Sequence, residues 1–251
     1  MMEDLHFYDC NSFFGMRKNV APGSFYKKED LLERMTYYSI EKALVHHSMA
    51  IEYDPLVGNN ILMDELVGIK NLVPAWVVLP HHTGEFPAPD KLIEDMKIKG
   101  VCAAIIRPND YSFCVSEWNC GQLFSALEEH GIPLFISNSE ITFDELHTLC
   151  SLHSDLNVVF TNVTYRVSRN LYPLMKKFKH LYLETSGYIA QDGIENVCSV
   201  FGANRLIFGS GMPVHSGASA VNIITYANIS QNEKQMIASG NLERLLGGEV
   251  L

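Results

Sequence analysis

Basic residues are the first scarcity. Lys and Arg number 19 against 29 Asp and Glu in 251 residues, a formal net charge of -10, and no basic run exceeds a pair such as Lys176-Lys177. Phosphate backbones are gripped by clustered cations, so no nucleic-acid partner is expected. Long apolar runs are also missing. Nothing approaches the roughly 18 to 20 uninterrupted apolar residues of a membrane span, and Met1-Met2-Glu3-Asp4 has no basic region leading into an apolar core. No membrane association is expected, and the expected location is the cytoplasm. The six cysteines, Cys10, Cys102, Cys114, Cys120, Cys150 and Cys198, form no C-x-x-C pair. In a chain of this length they read as reduced thiols rather than a disulfide frame or zinc ribbon.

What is present is ordinary globular material, 47% hydrophobic and 19% charged, which excludes global disorder. Short apolar strands alternate with helical stretches through the whole length. Strands are expected at 5–9, 40–47, 72–79, 101–106, 133–136, 157–160, 181–183 and 206–208. Helices are expected over 29–35, from Asp54-Pro55 onward, and over 89–99, 121–130, 142–153, 169–178 and 231–246. Pro55 fits a first helical turn, where its missing N–H costs nothing. Thr142-Phe-Asp-Glu145 has the spacing of a capping box. Parallel βα units follow from this alternation, and eight of them predict a closed (β/α)8 TIM barrel, with residues 1–251 as one domain.

The segment Arg205-Leu-Ile-Phe-Gly-Ser-Gly-Met-Pro213 reads as a buried strand emptying into a loop. Together with Leu181-Tyr-Leu-Glu-Thr-Ser-Gly187, Phe7-Tyr-Asp-Cys-Asn-Ser-Phe-Phe-Gly15 and the 237–246 tail, it resembles the amidohydrolase superfamily. The resemblance is to the amidohydrolase-related branch that includes decarboxylases of the aminocarboxymuconate-semialdehyde type. It covers nearly the whole chain, and it implies homodimers, as family members often pair.

The resemblance also implies a divalent metal held by Asp-x-His-x-His after the first strand, histidines after the fifth and sixth, and an aspartate after the eighth. This sequence departs from that pattern. Asp9-Cys-Asn-Ser-Phe13 carries an amide and a phenyl ring where the imidazoles belong. Ser137, or Asn138 on a one-residue slip, Asn162 and Gly211 occupy the remaining positions. Amides and hydroxyls rarely hold zinc without thiolate, imidazole or carboxylate partners, so no metal and no cofactor is expected.

The strand ends remain polar. Asp9, His46 and His81 are the candidates for proton transfer. Asn11, Arg107, Ser137, Asn138, Glu140, Asn162 and Ser210 are the candidates for binding a small anionic ligand, because a guanidinium fork pairs with a carboxylate through two hydrogen bonds. Glu184, Ser186 and His215 lie at neighbouring strand ends. A salt bridge from Arg107 to Glu140 or Asp110 is an equally ordinary role for that side chain. His46-His47 and His81-His82 invite a relocated metal site after the second and third strands, but only one of each pair can face the axis, since neighbours on a strand point oppositely, and the ligand number would fall short of three or four. Two functions fit: a metal-free hydrolase or lyase acting on a small carboxylated or cyclic metabolite, or a non-catalytic barrel that binds a metabolite or a protein.

Overall fold

Eight parallel strands follow one another around the sheet in chain order. They are β1 (Phe7–Phe14), β2 (Ile40–His47), β3 (Leu72–Val77), β4 (Ala103–Ile106), β5 (Leu134–Ser137), β6 (Val158–Thr161), β7 (Leu181–Glu184) and β8 (Leu206–Ile207). The computed structural model describes residues 5–247. The Met1–Asp4 stretch that carried the expectation of no targeting signal lies outside the described residues, as do both ends of the expected 1–251 domain. The ring closes past the end of β8. Cys10 N–H donates to the Phe208 carbonyl at 3.0 Å, Gly211 N–H to Asn11 at 2.9 Å, and Phe13 N–H to Met212 at 3.1 Å. The chain is a (β/α)8 barrel.

Between the strands run α1 (Lys28–Tyr37), α2 (Met49–Glu52), α3 (Pro55–Glu65), α4 (Pro89–Lys99), α5 (Glu117–Glu129), α6 (Phe143–Leu152), α7 (Ser168–Lys177) and α8 (Gly193–Phe201). Then come α9 (Gly217–Thr225), α10 (Gln231–Gln235), a π-helical turn over Met236–Gly240, and α11 (Asn241–Leu245). Local chemistry sets several ends. The Asp54 carboxylate accepts Val57 N–H at 2.8 Å ahead of Pro55, and Thr142 and Glu145 exchange capping bonds at 3.2 and 2.9 Å. Three differences from the sequence reading stand out. β1 continues past Asp9 to Phe14, α2, α8 and α9 were not expected, and the tail helix is interrupted by the π turn.

Two apolar layers result. The larger lies between strands and helices. The smaller fills the barrel itself, with Tyr8, Leu44, Val73, Phe135, Tyr182 and Ile207 stacked inward, and Leu242, Leu245 and Leu246 of the tail packed against them. That plug covers one end of the barrel, so the open end is the carboxyl mouth. Among the described residues no helix is long and apolar enough to cross a membrane.

Candidate functional site

A cavity of about 280 Å³ opens at the carboxyl ends of the strands, at the small end of ligand pockets, which run from roughly 300 to 1,000 Å³. Its floor is apolar: Leu44, Ala75, Ile105 and Phe135 are inward residues of β2 to β5. One wall comes from β1, whose pairing with β2 shifts register between Asp9 and Ser12. Such a bulge re-aims side chains. Cys10, Asn11 and Phe13 all reach the cavity, whereas Asp9 does not.

Cations and an uncharged imidazole line the cavity beside this wall. Phe13 stacks on His46 with centroids 5.1 Å apart and planes at 29°, and the Arg17 guanidinium lies 5.4 Å from the Phe13 centroid. Arg17 donates to Glu52 of α2 at 3.5 Å. Arg107, at the end of β4, bonds Asp110 at 2.8 and 2.7 Å and approaches Glu140 at 3.4 Å. The rim salt bridge considered from sequence is therefore present, and Arg107 lines the cavity as well. Burial first, and then the positive fields of Arg107, His47 and Arg17, push His46 down to about 3, so it is neutral at physiological pH. His47 turns the other way, onto Met49 N–H at 3.2 Å and Glu65 at 3.8 Å.

A continuous polar arc crosses the mouth. Buried Glu184 accepts from Asn11 Nδ2 at 3.1 Å, from the Asn162 amide at 3.1 Å, from Ser186 Oγ at 2.9 Å and from the Ser186 amide. Asn11 Nδ2 also lies 3.3 Å from Asn162 Oδ1, and Asn162 Nδ2 donates to Ser137 Oγ at 3.2 Å. Ser137 meets Ser139 at 3.1 Å, and Ser139 meets Glu140 at 3.5 Å beside Arg107. Burial raises the Glu184 pKa despite these donors.

The sequence candidates thus separate. Asn11, His46, Arg107, Ser137 and Asn162 converge on the cavity. Ser137 rather than Asn138 lines it; the Asn138 N–H donates to the Thr161 carbonyl at 3.0 Å. Glu140 is buried beneath Arg107 and accepts Asn109 N–H at 2.9 Å. Two proton-transfer candidates, Asp9 and His81, do not line the cavity. Fully buried Asp9 is turned away from the cavity into the β1–β8 seam, where it accepts Asn11 N–H at 2.9 Å, Ser210 N–H at 2.8 Å and the Ser210 hydroxyl. Ser210 is bonded there and does not line the cavity either. His81 leans on His82, centroids 4.4 Å apart, on the β3–α4 loop outside the cavity. Arg17 was missed, because it sits in an irregular stretch with no strand to aim it. Its only signal was a cation just beyond the first strand.

The donor set at the mouth does not fit a divalent transition metal. Among the described residues no group of three or more His, Cys, Asp or Glu converges. Apart from Asp9 in the seam, the positions that would ligate carry amides and a hydroxyl bonded to one another, a phenyl ring stacked on His46, and a glycine. At Gly211, φ is +70° and a Cβ would stand 2.7 Å from His215 Cδ2, so a side chain there is both strained and crowded.

A family model described as amidohydrolase matches residues 70–248. No curated protein matches the sequence. Among solved structures, 5-carboxyvanillate decarboxylase from Novosphingobium aromaticivorans, complexed with manganese and 4-hydroxy-3-methoxy-5-nitrobenzoic acid, superposes with a TM-score of 0.76 at 13% identity, over 96% of each chain. An uncharacterized TIM-barrel protein from Bordetella bronchiseptica gives 0.74 at 15% identity, over 96% of this chain and 98% of that one. 5-Carboxyvanillate decarboxylase from Sphingomonas paucimobilis gives 0.73 at 12%, over 97% and 99%. At such identities the likeness speaks for the fold.

Proposed function

The chain belongs to the amidohydrolase family, and on that premise we propose that it binds a small ring-bearing carboxylate at the barrel mouth and acts on it as a lyase or hydrolase through acid–base chemistry independent of a divalent metal. The observation that carries this reading is the pairing of two guanidiniums, Arg17 and Arg107, around uncharged His46 over an apolar floor. Arg107 receives the carboxylate, because a guanidinium fork matches it in plane and charge. The ring lies on Leu44, Ile105 and Phe135, and a hydroxyl or carbonyl substituent meets Asn11, Asn162 or Ser137. Carboxylated aromatics are what the decarboxylases of similar fold act on by their names.

His46 is the proton-handling group. It is the neutral base in contact with the cavity, and a bound anion offsets the fields of Arg107 and Arg17 that hold its pKa low. Its affinity for a proton therefore rises when ligand arrives. A second reading, binding without turnover, is favoured by one feature. Glu52, Glu140 and Glu184, the carboxylates around the mouth, already hold protein donors.

The test is calorimetry and mass spectrometry with benzoate and 2,6-dihydroxybenzoate in EDTA. Binding is expected without metal, weakened about tenfold or more by Arg107→Gln, with conversion of a carboxylated aromatic that His46→Asn abolishes. Binding that requires added Mn²⁺ or Zn²⁺ would overturn the metal-free reading. Tight binding without conversion across a panel of such acids would leave the second reading.

A further inference from the structure

The cavity is not alone at the mouth. A second chamber of about 290 Å³ lies between the β1–α1 and β8–α9 loops, and Val214 and His215 line both spaces. No acidic residue lines the second chamber; Arg34, Tyr38, Ser24 and Ser216 do, beside the apolar surfaces of Phe25 and Met212. Arg34 is exposed in the last turn of α1 and forms no ion pair among the described residues. Arg17 and Arg107 by contrast each hold a carboxylate. The chamber walls are braced by the protein itself. Tyr38 Oη meets Ser216 Oγ at 3.1 Å, Ser24 Oγ donates to the Pro213 carbonyl at 3.0 Å, and Gly217 leaves the room that Tyr38 occupies, since a Cβ there would stand 2.6 Å from its ring.

An uncommitted guanidinium lining a chamber without acids is suited to an oxyanion. We infer that the second chamber binds a further anionic group of the same ligand, so that the substrate is an elongated acid with a ring carboxylate at Arg107 and a distal carboxylate or phosphoryl group at Arg34. This rests on the proposed function for its first half only. The ligand passes over the shared Val214–His215 wall, which makes His215 a contact to the tether rather than to the reacting ring.

The experiment uses the full chain in EDTA with benzoate, 4-alkoxybenzoates with a neutral tail, and 4-alkoxybenzoates of graded tether length ending in a carboxylate or a phosphate ester. At the best length the two-headed probe is expected to bind about tenfold more tightly than its neutral-tailed counterpart. Arg34→Gln is expected to remove that gain and leave benzoate affinity and the thermal midpoint of the free protein unchanged. The two series of probes distinguish a carboxylate from a phosphoryl terminus. Absence of a gain at every length, or a gain that survives Arg34→Gln, overturns the inference. If benzoate itself fails to bind, the proposed function falls. The second chamber then stands if two-headed probes still bind through Arg34, and falls if none does.

Discussion

Replacing Asp9 tests whether this carboxylate serves chemistry or the barrel seam. In the native protein it is fully buried and receives the backbone N–H groups of Asn11 and Ser210 and the Ser210 hydroxyl. Asp9→Ala strands all three donors. Each buried donor left unmade costs about 1–3 kcal/mol, and partial relaxation brings the sum to about 4 kcal/mol. Out of a total stability of about 5–15 kcal/mol that is a large share. With a urea slope of about 3 kcal/mol per molar, the midpoint is expected to fall by about 1 M. Asp9→Asn keeps one acceptor for the two N–H groups and is expected to lose about 1–2 kcal/mol.

The pH dependence adds a sign. Burial raises the Asp9 pKa above the ordinary value of 3.8, so the folded state holds this proton more firmly than the unfolded chain. The stability this contributes is full below pH 3.8 and is lost as pH climbs through the raised value. The penalty of Asp9→Asn is therefore expected to be larger in acid than at neutrality, read from urea midpoints across pH. Benzoate affinity of the folded variant is expected to match wild type. A variant of unchanged stability that loses benzoate binding or turnover would refute the reasoning and return Asp9 to the site.

Two further outcomes follow from the cavity. Arg107→Gln is expected to raise the His46 pKa from about 3, because it removes a neighbouring positive field; the imidazole Cε1–H shift during an NMR titration reads this, and an unmoved titration would mean that burial alone sets the value. His46 itself contributes stability that is present above pH 6.5 and lost as pH falls towards 3, so His46→Phe is expected to lessen acid destabilisation in that window, read from thermal midpoints. Gly211→Asp, which writes in the aspartate of the family pattern, forces a side chain at φ +70° against His215 and is expected to cost about 1–3 kcal/mol; Mn²⁺ is expected not to restore the thermal midpoint, and a manganese-dependent rise would show that a metal site had been rebuilt.

Elements whose cause is local were legible in the sequence. The span 40–47 reads as a strand from its own apolar run, Pro55 as a first-turn residue from its missing N–H, and Thr142 as a cap from its distance to Glu145. The register of β1 was not legible. Spacing alone puts Asp9, Asn11 and Phe13 on one face, and the bulge between Asp9 and Ser12 separates the first from the other two. The site was half legible for the same reason. Residue types at strand ends identified Asn11, His46, Arg107, Ser137 and Asn162, but nothing local indicates that Asp9 turns into a seam, that His81 sits on a loop outside, or that Arg17 folds back over Phe13. Those facts are set by contacts between residues far apart in the chain.

The polar arc from Glu184 through Asn11, Asn162, Ser137 and Ser139 to Glu140 and Arg107 behaves as a closed account of donors and acceptors, each member spoken for by the next. Its consequence concerns accessibility in sequence space. Exchanging any one amide or hydroxyl for an imidazole removes a bond from each of its neighbours in the arc and supplies only one of the three or four ligands a metal needs. A single substitution towards a metal centre therefore gives up arc bonds before enough ligands are present to hold a metal. Several positions of the arc would have to change before a metal could be held there.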